Sequence, residues 1–401
     1  PALLSALRAS ALSFLFRLSR MSLRKNIRAI ILVAALLVGA AIIIAREHRP
    51  SFLRPGLRLN AYVTTQDGNV NVIDLVNLRS IARVQVGPAL SGLREHPTRP
   101  EVWGVSTQGG YVFVLGAYND QVVARIPVGP APYALEFSPD GSIVYTTSSE
   151  SDRIVAINAE THAVVGNAAT GRHPVLARLA PDKKTLVVLN HDDGTLGVYD
   201  ASNLKHIATV PIVHNPDDVA ILPDSRLAFI ISRTEPRLSV VDLKRNVLLA
   251  NLQLVGKPSD MILKPDGGEL YVISPESHGL QVINTETHEV GDFVVIGDTP
   301  TRGVLSVDAG LLYVTDATAN RVTAVDMNNR RVIRTINGRE LLISAGQTPD
   351  AIRFDPEENL LLVVNKGSSD LSVIRARLGD QSLLTMIPVG DHPQELAVKL
   401  F

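Results

Sequence analysis

From residue 59 onward, apolar and polar positions alternate in short runs broken by Gly, Pro, Asn and Asp. This is the pattern of half-buried strands joined by tight turns, not of amphipathic helices. The stretch after Pro132 shows the phrase in full. Ala134 to Phe137 reads as a first strand, Ser138-Pro139-Asp140-Gly141 as a turn, Ile143 to Thr147 as a second strand and Arg153 to Ile157 as a third. Asn158-Ala159-Glu160-Thr161 then turns the chain into a fourth strand, Ala163 to Asn167. The residue closing the third strand recurs at Asp74, Gly116, Asn158, Asp200, Asp242, Asn284 and Asp326, each 42 residues beyond the last, and Arg375 follows after 49. A strand-only unit repeating at this period predicts an all-β protein, a β-propeller of four-stranded blades.

Turn chemistry keeps the same register. Pro139-Asp140-Gly141 recurs as Pro181-Asp182-Lys183, Pro223-Asp224-Ser225 and Pro265-Asp266-Gly267. Proline presets φ for a turn, and Asp or Asn accepts backbone N–H bonds across one. The acids closing the third strands therefore read as Asx turns, one per blade, and not as a metal site. Between blades, Pro132, Pro174, Pro216, Pro258 and Pro300 are 42 apart, with Leu90 one repeat earlier and Pro349 and Pro393 following at 49 and 44. Seven full units run from Leu90 to Pro393. The segments Asn60 to Thr64, Asn69 to Ile73 and Ser80 to Val86 add three strands, and Gln394 to Phe401 adds one. Together these predict an eighth blade closed by both chain ends, with seven blades as the alternative, a closure that removes the exposed sheet edge. The seven-residue excess between Asp326 and Arg375 lies near Gly338 to Gly346 and reads as a surface loop, so that Arg339 to Ala345 is expected to be removable without loss of folding.

Residues 1–58 stand outside the repeat. Ala29 to Ala45 is apolar or small throughout and uncharged, flanked by Arg24, Lys25 and Arg28 before and Arg46, Glu47, His48 and Arg49 after. It reads as a transmembrane anchor or uncleaved signal at 29–45, between a basic segment 1–28 and a linker 46–58. Met21 is the candidate natural start. The propeller, 59–401, is then expected in the periplasm or outside the cell, with residues 29–45 in the cytoplasmic membrane. The chain has no Cys, which removes disulfides, Cys-ligated zinc and Cys-x-x-Cys-His haem attachment. A formal net charge of −1 gives no electrostatic case for nucleic acid.

Propeller ligands are expected at the mouth of the central channel, where the inner strands begin. Two residues past the inter-blade prolines stand Asp218, Asp260, Arg302 and Glu395, and four residues past stand Glu136, Arg178 and Arg353. Strand alternation puts both sets on one side of the inner strands. They form a candidate ligand-binding lining, against the alternative that they only neutralise one another. His173, His214 and His392 precede inter-blade prolines and are expected on the same rim. No Gly-x-Ser-x-Gly elbow or His-Glu-x-x-His motif occurs, and no catalytic residue or metal set is singled out.

Tyr62-Val63-Thr64-Thr65, Tyr271-Val272-Ile273-Ser274 and Tyr313-Val314-Thr315-Asp316 resemble the repeat of the YVTN β-propeller family. So does Val128-Gly129-Pro130-Ala131-Pro132 leading into Phe137-Ser138-Pro139-Asp140-Gly141. A single Trp103 without a Trp-Asp dipeptide argues against WD40 repeats, and only two Gly-Gly pairs argue against kelch. The resemblance covers about residues 59 to 401 and implies an exported or surface-associated propeller; members share no single activity. The expectation is a non-catalytic binding or scaffolding module taking an envelope protein or a small molecule, with no cofactor. Two alternatives stay open. One is a haem- or metal-bearing propeller, because similar eight-bladed propellers of haem-d1 nitrite reductase use rim histidines around a haem. The other is a lactonase-like hydrolase working through channel-mouth acids.

Overall fold

Every repeat folds as the alternation demands, and the faces it leaves apolar are covered by its neighbours. In this computed structural model the described residues are 57–334, 341–357, 360–376 and 381–401. The basic segment, anchor and most of the linker expected before residue 57 lie outside them. Among the described residues no helix is long and apolar enough to cross a membrane.

Eight antiparallel sheets form the blades. Blades 1 to 8 have as inner strands Leu90–Glu95, Pro132–Phe137, Pro174–Leu179, Asp218–Ile221, Asp260–Leu263, Pro300–Leu305, Pro349–Phe354 and Pro393–Leu400. Blade 8 joins Pro393–Leu400 to Leu59–Thr65, Asn69–Asp74 and Arg79–Gln85, so both ends of the propeller close one sheet as expected. Inner strands of neighbouring blades pack on one another around most of the axis, from blade 4 through blade 8 and on to blade 3. Second and third strands are buried on both faces, whereas fourth strands such as Val247–Gln253 alternate between exposed and half-buried positions.

The core lies between blades. One cluster joins Trp103, Val105 and Val112 of blade 1 to Leu135, Val144 and Val155 of blade 2, and another joins Phe229 and Leu238 of blade 4 to Leu270 and Val272 of blade 5. A large or branched side chain occupies the same place in each second strand: Tyr62, Trp103, Tyr145, Val187, Phe229, Tyr271, Tyr313 and Leu362, all buried. Asx turns close the third strands. Asp74 accepts from the N–H groups of Val76 and Asn77, Asn158 from Glu160 and Thr161, and Asp242 from Lys244 and Arg245, all at 2.8–3.0 Å.

The excess residues of the sixth repeat are not a removable loop. The outer strand of blade 6 is in two pieces, Arg331–Val332 and Leu342–Ser344, both paired with Arg321–Asp326. Ile343 is 1% exposed and packs with Tyr313, Val322 and Leu361. Deleting Arg339 to Ala345 would remove a paired strand and a core side chain, so the expectation drawn from sequence is corrected.

Candidate functional site

The inner strands run inward from the rim that carries the inter-blade turns and the loops between second and third strands. Pairing registers place the charged lining at two levels below that rim. Arg94, Glu136, Arg178 and Arg353 lie opposite Trp103, Tyr145, Val187 and Leu362, the equivalent positions of four second strands. Asp218 and Asp260 lie opposite Ile231 and Ile273, two residues nearer the rim. Arg302 and Glu395 share that outer level, where their N–H groups donate to Thr315 Oγ1 (3.1 Å) and Thr64 Oγ1 (3.0 Å). Two strand residues separate the levels by roughly 7 Å.

Charge differs between levels. The outer one carries three acids and Arg302; the inner one carries three arginines and Glu136. Several groups bridge blades. Glu136 Oε2 is 3.5 Å from Arg178 Nη1, while its Oε1 accepts from Leu179 N–H at 3.4 Å. Arg178 Nη2 reaches Asp218 Oδ1 at 3.6 Å, linking blades 2, 3 and 4. Asp260 accepts from Gly303 N–H at 2.9 Å across the interface of blades 5 and 6. Arg302 Nε stands 3.6 Å from Asp350 Oδ1, and Asp350 also pairs with Lys366. Mutual neutralisation thus accounts for Glu136, Arg178, Asp218 and Arg302. It does not account for Glu395 and Arg353, which make no side-chain hydrogen bond or ion pair among the described residues.

Burial pushes the carboxyl of Asp260 from 3.8 up to about 6; Arg302 and the Gly303 N–H pull it back, and Asp218 adds to the rise. Burial also opposes the charge of Arg302, but Asp260 and Asp350 outweigh it and hold its pKa above the usual value. A raised folded-state pKa means that the folded protein binds this proton more tightly than the unfolded chain does. The group therefore weakens the fold above about pH 6, and the penalty fades as pH falls toward the unfolded value. Asp260→Asn keeps an acceptor for Gly303 and should stabilise the protein at pH 8 by roughly 1–2 kcal/mol, with no gain near pH 4. Unfolding midpoints of the two proteins across that range check the sign, and a constant difference would contradict it.

The rim histidines are not gathered at one point. His173 lies 5.6 Å, ring to ring, from His191, which is 2.9 Å from Asp192 and contacts Asn215. His214 is exposed and donates its N–H to Glu235. His392, at blade 8, is 61% exposed and 3.8 Å from Asp391. Among the described residues no group of three or more His, Asp or Glu is placed to hold a metal ion.

Sequence reading missed Arg94, Asp350, Lys366 and His191. The first was within reach: it stands four residues past Leu90, which occupies the proline position of its repeat.

Over residues 117–311 the chain matches the family model described as YNCE-like beta-propeller. No curated protein matches it. Among solved structures it is similar to dihydro-heme d1 dehydrogenase NirN in complex with DHE, at 20% identity and TM-score 0.71, covering 87% of this chain and 76% of that one. It is also similar to hydrazine synthase of Kuenenia stuttgartiensis (18% identity, TM-score 0.56, covering 72% and 97%). A functionally unknown protein from Desulfotomaculum acetoxidans gives 16% identity and TM-score 0.55, covering 72% and 96%. Identities this low speak for the fold alone. With the matched family model they support a β-propeller repeat protein similar to the YNCE-like propellers.

Proposed function

We propose that this protein is a YVTN-type binding propeller, anchored through residues 29–45 and exposed outside the cytoplasmic membrane, whose ligand or partner docks at the charged channel mouth. The carrying observation is that Asp260, Glu395 and Arg353 stay outside the ion pairs that tie their neighbours together. Structural stapling needs paired charges, whereas recognition needs charges held in place and left available. The full chain, purified in detergent from a native envelope, is expected to carry a non-covalent mass increment in native mass spectrometry. Asp260→Lys should remove it, and a wild-type chain at bare mass that retains no ligand would overturn the reading.

A second reading, a tetrapyrrole-binding propeller, is favoured by the likeness to NirN. The residues present fit such a group in kind: exposed His173 and half-buried His191, whose Nδ1 faces Asp192, offer imidazole nitrogens at the rim, and Arg302 offers a cation for a peripheral carboxylate. A Soret-type band in the purified protein would select this reading, and a colourless ligand the first.

A further inference from the structure

We infer that the channel contains a small-oxyanion site one level below its mouth, formed by Arg94, Arg178 and Arg353 and suited to a phosphate or carboxylate group. This rests on the channel being the binding region. The three arginines share one register level on blades 1, 3 and 7, and the only acid at that level, Glu136, is already engaged by Arg178 and Leu179. Arg94 and Arg353 make no side-chain hydrogen bond or ion pair among the described residues, and Arg178 Nε is buried without a partner. Burial followed by the charges of Arg178 and Arg353 lowers the pKa of Arg94, against Glu136 and Glu395, yet a guanidinium stays protonated. Arg178 is balanced by Glu136 and Asp218, but Arg94 and Arg353 beside it add two cations without an ion pair among the described residues. Such cations are costly unless an anion completes them, and guanidinium forks match carboxylate and phosphate oxygens.

Access follows from the residues nearer the rim. Two positions before Arg94, Glu136 and Arg353 stand Gly92, Ala134 and Ala351, with at most a methyl group each. Gly92 has φ +60, and a Cβ there would meet Tyr133 O at 2.9 Å. Blades 2 and 7 thus present no more than a methyl group on the rim side of the arginine level, whereas at blade 1 the backbone of Tyr133 and Ala134 closes against Gly92. Glu395 of blade 8 stands at the outer level between blades 7 and 1.

Calorimetric titration of the full chain in detergent and phosphate-free buffer tests the inference, with inorganic phosphate and succinate as probes. One saturable site is expected, weakened at least tenfold by Arg94→Met; response to one probe alone assigns the anion class. Arg94→Met should also raise the thermal midpoint without anion, because it removes an unpaired cation. If that variant does not fold, Arg353→Met serves in its place. Absence of saturable binding to the wild type, or binding unchanged in the folded variant, overturns the oxyanion site. A co-purified mass increment that persists and still depends on Asp260 would leave the channel-binding reading standing.

Discussion

A chain ending at His392 should fail to form a closed propeller and should unfold far below the full-length protein, or associate through its open edge. Pro393–Leu400 pairs with Leu59–Thr65 from Leu59 opposite Leu400 to Tyr62 opposite Ala397, and Arg58 and Phe401 exchange hydrogen bonds of 2.7 and 2.9 Å. Leu396, Ala397 and Val398 are buried, and the strand also packs on the inner strands of blades 1 and 7. Each buried aliphatic side chain contributes about 1.5–3 kcal/mol and each ladder bond about 1 kcal/mol. The sum is on the order of 10 kcal/mol, comparable with the whole stability of an ordinary domain. Its removal also uncovers Leu59–Thr65, which is buried along its full length and would become a pairing template. Urea unfolding with size-exclusion chromatography checks this, and an unchanged midpoint in a monomer would refute it.

Trp103→Ala is expected to cost about 3–5 kcal/mol, the range for removing a buried Trp or Phe. Trp103 is fully buried between blades 1 and 2, edge-to-face with Phe137 at 5.8 Å and with His162 at 5.5 Å. Its Nε1 donates to Glu101 Oε2 at 2.9 Å, so truncation empties a cavity and strips that carboxylate of a partner, leaving Arg99 at 3.5 Å. Trp103→Tyr should cost less than about 1.5 kcal/mol, since Tyr62 and Tyr145 fill the same place in the flanking blades. Circular dichroism melts of both variants separate the outcomes. Equal losses would mean that the indole is placed by something other than its volume.

The blade count and closure were legible because they depend on spacing alone. A residue such as Asp242 recurs at its interval whether or not its neighbours are known, and the turn it closes is local. The channel was legible only in part. Counting from the prolines found the correct side of each strand but not which neighbour a charge would meet: Arg178 touches acids on two other blades, and Asp260 takes a hydrogen bond from the backbone of Gly303 on the next blade. Those partners follow from the ring, which no single repeat encodes. Leu90 in place of proline hid Arg94. The split outer strand of blade 6 was invisible for a related reason, since Leu342–Ser344 resumes pairing after an interruption whose length the period cannot supply.

Blade 8 also sets the order in which the molecule can be finished. Its inner strand is made last and pairs with the strand made first, more than three hundred residues earlier in the chain. Contacts of such separation form late and slowly. Seven blades can stack as they emerge, but the wall of the channel carrying Glu395 appears only when the final strand arrives. A product that stops before Pro393 therefore lacks both the seal of the ring and part of the channel lining, so that closure of the ring reports that synthesis has passed the last propeller strand.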